Sequence, residues 1–532
     1  MAPAFLMLLV FLAYPLEGIL RESFGREGGI SPLFDGTYYL ERGWFTLWQA
    51  TVSAGLTIVL ALPLAWLLAC HSFPGKRALE ATLMVPFVLP TIVVAVAFTA
   101  LIGPSGSANG LLMRLPAVED PPIQLLNTVW AILLAHVFYN VAVAARIIAT
   151  GWRGLDTRVE ESAAMLGAGP ASRFFLVTFP ALRNSVLAAG SLVFLFCFTS
   201  FGVILILGGS RYGTLETEIY RESLFLFRLP VAGALALVQM VVTFAAIVVN
   251  TRLQKTSAQR FEARPVTRWT RRTMVFGTLV VVGLVVLTLA PMAALAERSF
   301  HASDGYTLRY YSMLDDNVRG QVLFVAPVEA IRNSLAFALG TAAISLPIGT
   351  LAAIGAVRSK SRIAESVVQI PLGVSAVTLG LGFLVTFDEP PLELRQSPML
   401  VVLAHSLIAA PFVARIVGAR LRSLDPRLRD AASMLGAGPV RTFLSVEAPL
   451  LRGALAVAGV MAFATSMGEF GATLLISRPE YPTIPVAIFR YFGQPGALNY
   501  GQALAMSTIL MAVTASMFFF ADWLAGDRDQ GF

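Results

Sequence analysis

The chain has 532 residues, of which 56% are hydrophobic and 13% charged, and its formal net charge is +7. Soluble domains carry roughly 25% charged and about 45–50% apolar residues, so this composition excludes a water-soluble fold and points to lipid as the covering solvent. Long unbroken apolar runs, as over 274–289, exclude the alternating pattern of a β-barrel and select helices.

In chain order, spans are expected near 3–20, 45–70, 81–102, 125–150, 185–207 and 230–251, then near 274–296, 329–357, 363–386, 398–420, 452–476 and 499–524. The first run lacks a basic leader and a small-residue cleavage site and is read as a span rather than a removed signal peptide. Cys70 and Cys197 both lie in apolar stretches, with neither metal-ligand spacing nor a disulfide framework.

Positive charge is placed between the runs, which fits topology signalling and not a nucleic-acid surface. The segment 252–272 carries Lys255, Arg260, Arg264, Arg268, Arg271 and Arg272 against one acid, Glu262, and is expected in the cytoplasm. Lys76 and Arg77, and Arg358, Lys360 and Arg362, agree with that orientation. Both termini are then cytoplasmic, and the mixed-charge loops around 21–42, 119–120, 211–228 and 304–319 face the periplasm.

An internal repeat at an offset of 269 organises the chain. Leu134-Ala135-His136 recurs as Leu403-Ala404-His405, Phe201-Gly202 as Phe470-Gly471, and Ile219-Tyr220-Arg221 as Ile488-Phe489-Arg490. The first third of each half matches more loosely, with Leu62-Pro63 set against Leu346-Pro347. The expected fold is an all-α polytopic membrane protein of about twelve transmembrane helices in two parallel six-helix repeats, 1–251 and 273–532, joined by the basic linker 252–272.

The strongest local signal follows the fourth span of each half. One copy runs from Leu155-Asp156-Thr157 through Glu160-Glu161-Ser162-Ala163-Ala164-Met165-Leu166-Gly167 to Pro170. The other runs from Leu424-Asp425-Pro426 through Asp430-Ala431-Ala432-Ser433-Met434-Leu435-Gly436 to Pro439. Each reads as a short helix stopped by glycine and kept from resuming by proline, with small residues that permit close approach of a partner. An ordinary inter-span loop would explain one such segment; two in register, at the same place in each half, argue for a device. No G-x-x-x-x-G-K-[ST] phosphate loop occurs, so ATP hydrolysis is not expected of this chain.

Both segments resemble the EAA loop of binding-protein-dependent ABC importer permeases, and the resemblance covers nearly the whole chain. It implies that Glu161, Ala163, Ala164 and Gly167, with Asp430, Ala432, Ser433 and Gly436, dock on a homodimeric ABC ATPase subunit that binds ATP and Mg. It also implies a solute-binding protein as partner, a bacterial inner-membrane location, alternating access, and no cofactor held by this chain. Asp430 and Ser433 depart mildly from the family pattern.

Polar residues at membrane depth line pathways or helix interfaces. Asn140, Thr199, Ser200 and Glu469 are the pathway candidates, with Asn127, His136, His405 and Ser406 beside them; the matched histidines favour a shared structural role. Glu469 has two readings, an unpaired carboxylate suited to a cation or a hydrogen-bonded brace. Fused permeases of this size are typical of thiamine and ferric-iron importers. Residues 200–203, 207–209, 214–216, 219–220 and 134–140 resemble the thiamine permeases, whereas 468–474 is similar to molybdate and sulfate permeases. Thiamine leads, ferric iron follows, and an anion is third. An ion-coupled secondary transporter is the rival class, and a membrane enzyme finds no catalytic constellation.

Overall fold

A computed structural model describes residues 2–526 apart from 26–29, 117, 257–266, 269–270, 303–304, 317–321, 324, 360–366 and 389. Most of the expected linker 252–272 therefore lies outside the described residues. The described part is almost wholly helical. In the first half α1 is Pro3–Gly25, α2 Tyr38–Cys70, α3 Lys76–Val88, α4 Thr91–Ile102, α5 Ser107–Leu112 and α6 Val129–Arg153. They are followed by α7 Thr157–Met165, α8 Pro170–Phe198, α9 Gly202–Leu207, α10 Leu215–Leu224 and α11 Leu229–Thr256.

The second half repeats this as α12 Arg271–Ser299, α13 Pro327–Ser359, α14 Ala376–Thr386, α15 Met399–Ser423, α16 Arg427–Met434, α17 Pro439–Gly468, α18 Gly471–Ile476, α19 Ile484–Phe492 and α20 Ala497–Gly526. Among the described residues eleven helices are long and apolar enough to cross a membrane, and the pair Val367–Gly373 and Ala376–Thr386, bent by 97°, makes a twelfth if taken as one span. The twelve expected spans are thus present, but four are not continuous. The run 81–102 breaks at Leu89–Pro90, 185–207 at 199–201, 363–386 at the bend before α14, and 452–476 at Glu469–Phe470. Hydropathy averages over such breaks, because each interrupts a long apolar run by only a few residues.

The repeat extends to the backbone. Five-residue π-helical turns lie at Phe174–Thr178 and Phe443–Glu447, and α9 and α18 also match residue for residue at the offset of 269. Earlier in each half the register differs, since Thr91 opens α4 and Ala376 opens α14, 285 positions apart. The difference is an insertion after α4, containing α5, where Asn109 donates to the Gly103 and Ile123 carbonyls at 2.8 and 2.9 Å and accepts from the Ile123 N–H at 2.8 Å. The loose match of the first thirds has this cause.

Within each half, α2, α6 and α8, and likewise α13, α15 and α17, pack on one another. The first helix of each half packs outward: α1 lies on α11 and on α14 of the other half, and α12 lies on α20 and on α4 of the other half. Glycine makes the first of these crossings possible. A Cβ on Gly18 would stand 2.2 Å from Thr386 Oγ1, and one on Gly382 would stand 2.9 Å from Pro15 Cβ. Lipid-facing leucine, valine and phenylalanine, including Val59, Leu279 and Val286, cover the outside.

These contacts predict that Gly382→Leu lowers the melting temperature of the detergent-solubilised chain, as expected for overpacking worth about 1–3 kcal/mol. Gly55→Leu, at a glycine whose Cβ would meet nothing within 4 Å, leaves it near the parent value.

Candidate functional site

The breaks in α8–α9 and α17–α18 lie side by side at the contact between the halves. An interrupted helix exposes backbone and side-chain polar groups that lipid does not satisfy, so partners must come from the protein. In the first half His136 of α6 supplies them: its Nδ1 lies 2.9 Å from Ser53 Oγ on α2 and its Nε2 3.0 Å from Ser200 Oγ in the break. Asn140, one turn along, donates to the His136 carbonyl at 2.8 Å, and Thr199 donates to the Leu195 carbonyl at 3.0 Å. Asn127, also a candidate, lies beside Gly209 outside this group.

In the second half His405 stands at the same place, with Nδ1 2.7 Å from Ser466 Oγ and Nε2 2.7 Å from Thr473 Oγ1. The residue matching Ser200 is Glu469. Its carboxylate accepts the Ala472 N–H at 2.8 Å, the Thr473 N–H at 2.9 Å and the Thr473 hydroxyl, and it lies 3.2 Å from His405 Nε2. Because the Thr473 hydroxyl donates to Glu469, its oxygen is left to accept from His405 Nε2–H, which fixes the tautomer when the ring is neutral. Thr341 on α13 extends the chain through Ser466, at 3.3 Å. Of the two readings of Glu469, the unpaired carboxylate is corrected: both oxygens are engaged at the start of α18, where carboxylates favour the helix N-terminus.

The same breaks set four rings against one another. Phe201 stacks on Phe470 at 5.5 Å between centroids, and Tyr220 meets Phe489 edge-on at 6.4 Å; both pairs join residues related by the repeat. Phe201–Tyr220 at 5.5 Å and Phe470–Phe489 at 5.6 Å close the cycle within each half. Such ring pairs contribute about 0.5–1.5 kcal/mol each beyond area burial. A Cβ on Gly202 would lie 3.2 Å from the Phe470 ring, so the backbone there has no room to spare. Beside the ring cluster, Gln239 donates to the buried Glu216 carboxyl, which burial pushes up to about 8.

At the far end of α8, about 40 Å away at 1.5 Å per residue, are the two EAA-like loops. No residue of α7 is buried, and of α16 only Ala432 is. Glu161, Ala164, Gly167, Asp430, Ser433 and Gly436 are exposed, Ala163 is half-buried, and Ala432 is buried. Large apolar side chains stand nearly fully exposed there: Met165 and Leu166 at 83% and 88%, Met434 and Leu435 at 84% and 89%. Gly167 and Gly436 follow with φ of +84° and +78°, a left-handed C-terminal stop that favours glycine. Sequence reasoning named Ser200 but singled out neither the Met-Leu pairs nor Ser53, Ser466 and Thr473, the other hydroxyl partners of the histidines; aligning the halves at 269 would have shown the Met-Leu pairs.

Comparison with known proteins agrees with this arrangement. Residues 58–262 and 345–529 match the family described as "Binding-protein-dependent transport system inner membrane component". The chain is 26% identical over 537 residues to the thiamine transport system permease protein ThiP of Brucella abortus (strain 2308), covering 98% of this chain and 95% of that protein. It is 32% identical over 206 residues to the molybdate/tungstate transport system permease protein WtpB of Pyrococcus abyssi, covering 37% of this chain and 79% of that one. Among solved structures, a bacterial alginate ABC transporter in complex with a pentasaccharide-bound periplasmic protein matches with a TM-score of 0.40 and 18% identity, over 48% of this chain and 92% of that one.

Glu469→Gln would turn an amide NH2 toward backbone donors. It is expected to cost about 1–3 kcal/mol, read as a lower melting temperature in detergent, with a smaller loss for Ser200→Ala. Equal stability of Glu469→Gln and parent would contradict the brace. With the doubled loops, the paired breaks and a family match over both halves, the chain belongs to the binding-protein-dependent transport system inner membrane components, the multi-pass permease subunits of bacterial ABC importers.

Proposed function

We propose that this permease imports thiamine, with a separate ATPase dimer on its two cytoplasmic loops and a solute-binding protein on its periplasmic face. The observation that carries the ATPase partner is the pair of exposed Met-Leu tips, since contiguous apolar surface kept in water marks an interaction site. Their repeat-matched positions suit one ATPase copy each, and this orientation puts both termini in the cytoplasm. Glu161, Gly167, Asp430, Ser433 and Gly436 frame the tips. ATP and Mg then belong to the partner, and this chain converts loop displacement into separation of its halves.

Thiamine is supported by the similarity to ThiP over almost the whole chain, compared with little more than a third of it for WtpB. On this reading the four-ring cluster closes the route between the halves, and Asn140, Thr199 and Ser200 meet the solute after the rings part. Glu469 brakes no cation there, because its oxygens are already occupied. Neither thiamine, itself a cation, nor ferric iron draws support from that residue, and an oxyanion keeps the partial likeness to WtpB.

Uptake of labelled thiamine, ferric iron and molybdate by cells with and without the gene tests this directly. Thiamine uptake alone is expected to fall on deletion and to return with the gene. The Leu166→Glu, Leu435→Glu double variant is expected to stay about tenfold below parent while still inserting into the membrane, as for loss of interface anchors. Loss of molybdate or iron uptake instead would overturn the choice of solute, and full activity of the double variant would overturn the docking surface.

A further inference from the structure

The insertion after α4 builds a feature that the import reading does not use. Two glycines hold its first turn tight: a Cβ on Gly103 would stand 2.5 Å from the Thr99 carbonyl oxygen, and one on Gly106 would stand 2.5 Å from that of Leu101. Between this turn and the helices α12 and α20 lies a cavity of about 570 Å³, open on one side. Thr99, Ser105 and the two glycines line it from the first half, and Arg298, His301, Tyr310 and Tyr500 from the second. A Cβ on Gly501 would stand 2.2 Å from the Tyr310 ring, so glycine there makes room for that ring.

The cavity offers donors and a positive charge. Among the described residues no Asp or Glu lines it, Arg298 pairs with no carboxylate, and neither tyrosine hydroxyl has a hydrogen-bond partner. The neighbouring acid, Glu297, is turned to other groups, accepting from Ser107 at 2.9 Å and from Tyr306 at 3.3 Å. A half-buried guanidinium without a counter-ion attracts an anion, and its planar fork matches phosphate oxygens.

Depth in the membrane identifies the source of the phosphate. The spanning parts of α12 and α20, Thr273–Ser299 and Ala497–Leu524, have 27 and 28 residues. Each is about 40 Å long at 1.5 Å per residue, whereas the hydrocarbon core is about 30 Å thick. Arg298 lies in the last turn of α12 and Tyr500 in the first turn of α20, so both stand in the headgroup layer. On the segments that frame the cavity Phe300, Tyr306, Leu308, Leu111 and Leu115 are exposed, as suits a lipid interface.

We infer that this cavity holds the phosphate of an anionic phospholipid, which joins the two halves at the membrane face opposite the EAA-like loops. Arg298 supplies the charge, and the hydroxyls of Tyr310, Tyr500 and Ser105 donate to the remaining oxygens. The acyl chains run along the exposed apolar side chains. Basic pockets between spanning helices recognise headgroups in this way. The insertion thereby acquires a role, since its first turn closes the site against α12 and α20. Neither the solute nor the ATPase takes part, so the site stands or falls apart from the import reading.

Native mass spectrometry of the delipidated full chain in detergent, titrated with phosphatidylglycerol, tests this. The parent is expected to retain one phosphatidylglycerol in preference to phosphatidylcholine of the same chain length. Arg298→Gln is expected to bind it about tenfold more weakly, as for a lost hydrogen bond to a charged group. Tyr310→Phe combined with Tyr500→Phe, which keeps both rings, weakens it in the same direction. Arg21→Gln, at an exposed cation near the end of α1, leaves binding unchanged. Phosphatidylglycerol is also expected to raise the melting temperature of the parent but not of Arg298→Gln. Equal affinity of parent and Arg298→Gln, or equal retention of phosphatidylcholine, overturns the site. Inorganic phosphate that raises the parent melting temperature as far as the lipid does would assign the cavity to free phosphate and overturn the lipid.

Discussion

A helix interrupted inside an apolar layer must find its polar partners within the protein, and the rest of this structure depends on how two histidines meet that requirement. His136 and His405 each hold one break by both ring nitrogens, drawing in hydroxyls from neighbouring helices. Without these bonds the natural course of α8 and α17 is to continue as unbroken helices. With them, the chain turns at 199–201 and 469–470 and carries Phe201 and Phe470 into contact between the halves. The ring contact between the halves thus rests on buried polar chemistry beside it, an arrangement in which a fully satisfied network fixes geometry more than it adds stability.

The halves share a backbone but not their charges. At two matched places the first half has a hydroxyl where the second has a carboxylate: Ser200 against Glu469 at the break, Thr178 against Glu447 at the cytoplasmic turn. In each case the carboxylate is buried and lies against basic side chains, His405 in one and Arg358 and Arg429 in the other. Fusion of the two halves in one chain permits this divergence, since the positions no longer have to serve both copies.

Much of this was legible in the residues. Apolar run length gave the number of spans, and the offset of 269 gave the two halves and the matched loops. The interruptions were not legible, because a few residues such as Thr199, Gly468 and Glu469 lower the average over a whole span only slightly, and the glycine and proline at such points also occur within intact spans. Glu469 looked unpaired because its partners come from 64 positions earlier and from the next turn of its own chain. Ala432 looked like its neighbours on the loop, and only the direction of its helix turns it inward. The crossing of α1 onto the opposite half depends on contacts such as Gly18 against Thr386, which no local pattern announces.

The central claim is that the halves part at the four-ring cluster when the loops are pulled. Arg211 and Glu480 are exposed, repeat-matched positions on the loops just beyond those rings. Spin labels on cysteines placed there, Arg211→Cys with Glu480→Cys, would report the separation, the two native cysteines being buried. The account predicts that addition of the ATP-loaded ATPase subunit lengthens the distance by about 5 Å or more, the scale of a one-turn element shift. A distance that stays unchanged, or shortens, while ATP is bound would contradict it.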